Sequence, residues 1–144
     1  MMKELIRMKT RLYYLEITPY VRRVQNYLKS NGIAYKEQYL PGKPLTKEQL
    51  HEILRYTTKG VEEILATRSK AYRELETQGF DFEGLTISGL IELFRQHPTV
   101  LKSPILVGKH TTIVGYNEEE MSVLKPRMRK QKAFKSLLQQ GLVS

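Results

Sequence analysis

The chain contains no cysteine in its 144 residues. That absence removes disulfides, thiolate nucleophiles, thiol redox switches and every cysteine-ligated metal centre at once. Histidine is scarce as well: His51, His97 and His110 are the only three, and no two stand four apart as a helical metal site requires. Each reads as an ordinary surface or hydrogen-bonded residue, and no metal or cofactor is expected. Apolar runs are a few residues long, far short of the ~20 that cross a bilayer. The segment Met1-Met2-Lys3-Glu4-Leu5-Ile6-Arg7-Met8 is interrupted by charge and lacks the apolar stretch of a signal peptide. A cytoplasmic protein without a membrane partner is the expectation. Nine glycines and six prolines are too few for a low-complexity segment.

Acid is in short supply. Lys and Arg number 24 against 15 Asp and Glu, a net charge of +9. Such a balance favours nucleic acid or an acidic protein surface as partner. The shortage is sharpest after Glu120, where no acid follows and Lys125, Arg127, Arg129, Lys130, Lys132 and Lys135 crowd together. This tail reads either as a solvated helix face or as an electrostatic contact to phosphate or to an acidic partner. Phe134 is its one aromatic residue, which argues against a platform for stacking single-stranded bases.

The length suits one domain, residues 1–144. After a leader over residues 1–8, Arg11-Leu12-Tyr13-Tyr14-Leu15 is a β-prone run. Thr18-Pro19 supplies a capping hydroxyl and a proline at the first helical position. Tyr20, Val21, Val24, Tyr27 and Leu28 then place an apolar stripe on a helix that ends near Asn31-Gly32. Residues 34–40 form a second strand, so the opening order is β-α-β, with parallel strands and a right-handed crossover. From Thr46 the pattern is helical for about fifty residues. Thr46 and Gln49 make a capping box, and Leu50, Ile53 and Leu54 supply a buried face. Gly60 separates the next helix, with Val61, Ile64 and Leu65, and a third starts near Ser69. Thr86 caps a fourth, bearing Ile87, Leu90, Ile91 and Phe94 and stopped by His97-Pro98. Strands return at 104–107 and 111–114 around the hairpin signal Gly108-Lys109-His110. Asn117 and Glu120 cap a further helix, Pro126 breaks the chain, and Phe134, Leu137 and Leu138 give a last helix its apolar edge. The order predicts an α/β fold: strands over 9–15, 34–40, 104–107 and 111–114 in one mixed sheet, with a helical lobe inserted over about 46–102.

Several motifs in this order resemble one family. Ile53-Leu54-Arg55-Tyr56-Thr57-Thr58-Lys59-Gly60, Ala66-Thr67-Arg68-Ser69-Lys70, His97-Pro98, Lys102-Ser103-Pro104-Ile105, Val114-Gly115-Tyr116-Asn117-Glu118 and Lys125-Pro126-Arg127 are similar to the Spx branch of the arsenate-reductase-like proteins. The resemblance runs from about residue 9 to the C-terminus. It implies a thioredoxin-like fold with a four-stranded mixed sheet, and a cis peptide before Pro104. It also implies one of two functions. Reductases of this kind attack an oxyanion with a cysteine at the start of the first helix. Spx-type regulators carry a Cys-x-x-Cys redox switch there and bind the C-terminal domain of the RNA polymerase α subunit.

The matching stretch here is Thr18-Pro19-Tyr20-Val21, so Thr18 and Val21 stand where the two cysteines would be, while the basic pair persists as Arg22-Arg23. A hydroxyl needs a nearby base before it can attack, and it cannot cycle between the oxidation states of sulfur. Thr18 therefore reads as a helix cap, and thiol reductase activity is excluded for the isolated chain. Arg68 matches an arginine that lies by the oxyanion in the reductases and near the switch in the regulators; it also fits a solvated or carboxylate-paired arginine. Where the reductases place a second arginine before the proline, this chain has Ser103. A residual anion site would use the helix start at Tyr20 and Val21 with Arg22 and Arg68. Arg55 and Gly60 match residues with which the Spx branch meets the polymerase, and Lys59 lies beside them; a glycine at a helix end is also what the left-handed conformation calls for. Two functions follow. One is a non-enzymatic Spx-like regulator on the polymerase α C-terminal domain without thiol control, its basic tail meeting promoter DNA within the complex. The alternative is a degenerate reductase-fold protein that binds an anion or another protein.

Overall fold

The computed structural model describes residues 10–124. The leader at 1–8, the basic tail and the last helix around Phe134 lie outside these residues. The four strands fall into one sheet: β1 (Thr10–Tyr14), β2 (Tyr35–Tyr39), β3 (Ile105–Gly108) and β4 (Thr111–Val114), in the order β2-β1-β3-β4. β1 runs parallel to β2, with Leu12 opposite Glu37, and antiparallel to β3, with Leu12 opposite Leu106. β4 completes a hairpin in which Leu106 meets Ile113. All four residues of β3 are buried, as a central strand covered on both faces requires.

Helix α1 (Pro19–Ser30) is the crossover between β1 and β2. Its buried stripe of Val21, Val24, Tyr27 and Leu28 packs with Leu12, Leu106, Ile113, Ile33 and Met121 into a core on one face of the sheet. The other face is covered by α2 (Lys47–Arg55), α3 (Val61–Ile64), α4 (Lys70–Thr77) and α5 (Ile87–Gln96). The sheet residues Tyr13, Ile105 and Val107 share one core there with Leu50, Ile53, Ile64, Leu90, Leu93 and Phe94. The inserted helices thus have no core apart from the sheet. Each fully buried Leu, Ile or Val of the two cores contributes roughly 1.5–3 kcal/mol. A short helix, α6 (Glu118–Met121), follows β4 with Asn117 Oδ1 accepting the Glu120 N–H at 3.0 Å. Among the described residues no helix is long and apolar enough to cross a membrane.

Two local details depart from the sequence pattern. β3 extends through Gly108, which leaves Lys109-His110 as the turn and puts His110 at φ 61. A methyl on Gly108 would collide with Leu124, which explains why glycine ends this strand. Leu65 is not helical but pairs with Leu101 in an isolated antiparallel bridge, flanked by Ala66 N–H to Val100 O at 2.7 Å and Lys102 N–H to Ile64 O at 2.8 Å. His97-Pro98 ends α5 at Gln96, as the sequence predicts, and Pro98 then opens a separate 3₁₀ turn over Pro98–Val100, because proline's fixed φ suits a first helical position.

Candidate functional site

The loop that leaves β1 carries the positions where thiol chemistry would stand. Thr18 is the N-cap of α1: its Oγ1 accepts the Val21 N–H at 3.2 Å, and its carbonyl accepts the Arg22 N–H at 3.0 Å. Pro19 occupies the first turn, where a missing N–H costs nothing. Val21 is wholly buried in the core beneath α1. The two cysteine positions therefore hold a cap and a core side chain. Arg22 and Arg23 are exposed, the second lying over the Tyr20 ring at 5.8 Å.

Across from this loop, the Ser103–Pro104 peptide is cis. Ser103 Oγ accepts the Leu15 N–H at 3.1 Å, so the side chain before the proline ties the proline loop to the end of β1. That tie takes the position where the resemblance to the reductases implies an arginine. Arg68 sits in the turn before α4, whose N-cap Ser69 accepts the Tyr72 N–H. The recess around Arg68 is lined by Lys70, Arg73, Glu74, Thr77 and Gln78, residues of its own helix and its end. No residue of the 15–22 loop lines it, so the recess does not join Arg68 to Arg22 or to the start of α1. A group of three or more His, Cys, Asp and Glu able to hold a metal is absent among the described residues.

The second set of matched residues lies at the end of α2. Arg55 is its last residue and is exposed, and Lys59 is exposed in the turn that follows. Gly60 adopts φ 68 and ψ −140. It does not end α2, as the sequence suggests, but stands as the N-cap of α3. That backbone region is open almost only to glycine. A Cβ there would meet nothing within 4 Å, so the half-buried residue leaves open space on that side. Thr58 Oγ1 donates to Glu63 at 2.9 Å and closes the turn.

Sequence reasoning missed what anchors this end of α2. Glu52 accepts from Arg11 of β1 at 3.2 Å. The Ile53 carbonyl, one of the helix's orphan acceptors, takes a bond from Thr112 Oγ1 of β4 at 2.8 Å. Tyr56 Oη lies 3.1 Å from His110 Nδ1, with the rings edge to face. These partners are far apart in sequence and no local pattern marks them. Nearby, Arg11 and Tyr13 share a sheet face. Burial pushes the Tyr13 phenol up, and the Arg11 guanidinium beside it works in the opposite direction. Its hydroxyl, like that of Tyr27, makes no hydrogen bond among the described residues. Tyr27 is raised by burial and then by Glu118 and Tyr116.

Comparison with known proteins agrees with this geometry. A family model described as "ArsC family" matches residues 18–124. A protein named global transcriptional regulator Spx 2, from Oceanobacillus iheyensis, is 42% identical over 106 residues, covering 74% of this chain and 76% of the relative. Global transcriptional regulator Spx 1 from Bacillus cereus is 38% identical over 106 residues, 74% and 79% of the two chains. Among solved structures, an ArsC-family-related protein from Bacteroides fragilis superposes with a TM-score of 0.66 at 23% identity, over 82% of this chain and 98% of that one. An arsenate reductase from Vibrio cholerae gives 0.62 at 19% identity, over 81% and 96%. These last two establish the arsenate-reductase-like thioredoxin fold. With its motifs, its sheet order and these relatives, the chain belongs to the ArsC family, in the Spx branch, and lacks that branch's paired cysteines.

Proposed function

We propose that this protein is a non-enzymatic, Spx-like transcription regulator that docks on the C-terminal domain of the RNA polymerase α subunit and is not controlled by thiol chemistry. The observation that carries the reading is the pairing of a preserved docking end with a dismantled redox loop. Arg55 and Lys59 stand exposed after α2, and half-buried Gly60 beside them leaves open space where a side chain would lie. Thr18 and Val21 are a helix cap and a core residue. Arg22, Arg68 and Pro104 remain from the former site without a nucleophile to serve. The relatives named as global transcriptional regulators support the same assignment. In this reading the chain is one thioredoxin-like domain, with residues 46–102 inserted as its docking portion. It works inside the cell beside the polymerase, and the basic tail after Glu120 meets promoter DNA in the complex.

The test is direct binding of the full chain to the purified α C-terminal domain, with Arg55→Glu as the variant. Arg55 is exposed and has no ion pair among the described residues, so its reversal should shift stability by only about 0.5 kcal/mol. Binding should fall at least about tenfold, ~1.4 kcal/mol, and the loss should shrink in high salt. A folded Arg55→Glu protein with parental affinity rejects this patch. A parent that does not bind rejects the regulator reading in favour of an anion- or protein-binding relic of the reductase fold, which calorimetry with phosphate on parent and Arg68→Ala then examines.

A further inference from the structure

The polar ties around α2 have a shared geometry. Glu52, Ile53 and Tyr56 all belong to its last turn and cap, and they bond to Arg11 on β1 and to Thr112 and His110 on the β3–β4 hairpin. Arg55 lies between them in sequence and points to solvent. A side chain borne on a turn fixed at three points loses little freedom when it meets a partner.

The third tie is the informative one. His110 occupies the left-handed region, which a glycine would fill without steric cost. Histidine is among the residues that tolerate this region, and here its imidazole also finds a partner. Its Nδ1 meets Tyr56, the residue directly after Arg55. The same turn carries Lys109, exposed one residue away. The contact therefore brings the β3–β4 turn, which carries the exposed cation Lys109, to the end of α2. Glu62 and Glu63 follow in the first turn of α3, with Glu63 engaged by Thr58.

We infer that the docking surface is composite: the end of α2 and the β3–β4 turn together present Arg55, Lys59 and Lys109 to an acidic protein surface, and the Tyr56–His110 contact holds the two halves in register. This rests on the docking reading above and extends it to a hairpin that the family motifs do not include. Lys109 is a contact residue in this scheme. Tyr56 and His110 are positioning residues that act through Arg55 and Lys109.

The experiment titrates the full chain into the labelled polymerase α C-terminal domain by fluorescence anisotropy, at about 50 mM and about 500 mM salt. Lys109→Glu should weaken binding roughly fivefold to tenfold at low salt, with most of the loss gone at high salt. Tyr56→Phe keeps the ring and removes the hydroxyl. It should weaken the parent about threefold and leave Arg55→Glu unchanged, since coupled residues are not additive. His110→Gly relaxes the turn, so it should keep the parental melting temperature while matching the Tyr56→Phe loss. Each variant is paired with its own thermal melt. Parental affinity of a folded Lys109→Glu overturns the composite surface and leaves the Arg55 patch standing. Fully additive losses in the Tyr56→Phe and Arg55→Glu pair overturn the positioning role. A parent that fails to bind removes the docking reading itself and this inference with it.

Discussion

Putting cysteine back at positions 18 and 21 measures what those positions now do. Thr18 Oγ1 satisfies the Val21 N–H, one of the four orphan donors at the start of α1. A thiol is a poor acceptor, and losing a threonine cap costs about 1 kcal/mol. Val21 has no exposed surface and packs with Val24, Leu28, Leu12 and Leu106. Exchanging its two methyls for one sulfur removes the burial of about one carbon, which costs about 1 kcal/mol. The pair Thr18→Cys and Val21→Cys should therefore destabilise the reduced protein by about 2 kcal/mol. An unfolding entropy of about 2.1 cal/mol/K per residue over a chain of this length makes that a fall of roughly 7 °C in Tm.

The sites share one helical turn, so the single variants must be measured beside the double. Thr18→Ser keeps an accepting hydroxyl and should melt with the parent, while Thr18→Ala should reproduce most of the cap loss. Calorimetric melts in dithiothreitol supply the numbers. After diamide treatment, loss of two hydrogens by mass spectrometry reports whether a bridge closes. The new thiol at position 18 would sit at a helix N-terminus, which favours the thiolate; the one at position 21 would face the core. A reduced double variant that melts at or above the parental temperature refutes the assignment of cap and core.

Three further outcomes are expected. The hydroxyls of Tyr13 and Tyr27 are buried without a hydrogen bond among the described residues, so Tyr13→Phe and Tyr27→Phe should be neutral or gain up to about 1 kcal/mol in urea unfolding. Both phenols are raised in the folded state, so the stability they contribute is present below about pH 10 and is lost as pH climbs through the folded values. The double Phe variant should then lose less Tm than the parent on the alkaline side, and identical losses would contradict the burial argument. Gly60→Ala should cost about 1–2 kcal/mol from its positive φ alone, because the added methyl meets open space; a variant as stable as the parent in a thermal melt would show that the backbone turns differently there. Binding of the parent to the polymerase domain should be indifferent to diamide and dithiothreitol. A reversible affinity change, with methionine oxidation excluded by mass spectrometry, would reject freedom from thiol control.

The elements were legible because their signals are local. The Thr18-Pro19 start, the Thr46–Gln49 box and the Thr86 cap each act across three residues, and all three hydrogen bonds are present. The hairpin announced itself through Gly108-Lys109-His110, although the sequence does not say which residue takes positive φ. The nature of position 21 was only half legible. Its place in an apolar stripe suggested burial, and its place in a lost Cys-x-x-Cys suggested a site; the packing gives it to the core. The long-range ties at the two ends of the sheet were not legible at all. Ser103 and Leu15 are 88 residues apart, Thr112 and Ile53 are 59, and His110 and Tyr56 are 54. Helical and strand periodicity carries no information over such distances. These contacts exist only once the sheet has brought its ends to the helices.

Strand β1 joins the two functional ends, and this bears on how the regulator reading works without sulfur. At its start Arg11 holds Glu52 on the docking helix; just past its end Leu15 is held by Ser103, and Thr18 opens α1. A thiol switch at positions 18 and 21 would feed a bond-making step into that strand and bias whatever it touches. Here the same end is pinned by a cap, a core valine and a serine hydrogen bond. None of these groups exchanges a covalent bond, and a ligand or modification shifts an equilibrium only by its differential interaction with two states. Under the proposed docking, occupancy of the polymerase would then follow concentration and affinity by mass action. In that reading control would pass to how much protein is present and to any partner that competes for the proposed surface of Arg55, Lys59 and Lys109. Pre-organisation of that surface by three ties suits such a role, since a protein that is always competent gains affinity by leaving little to order on binding.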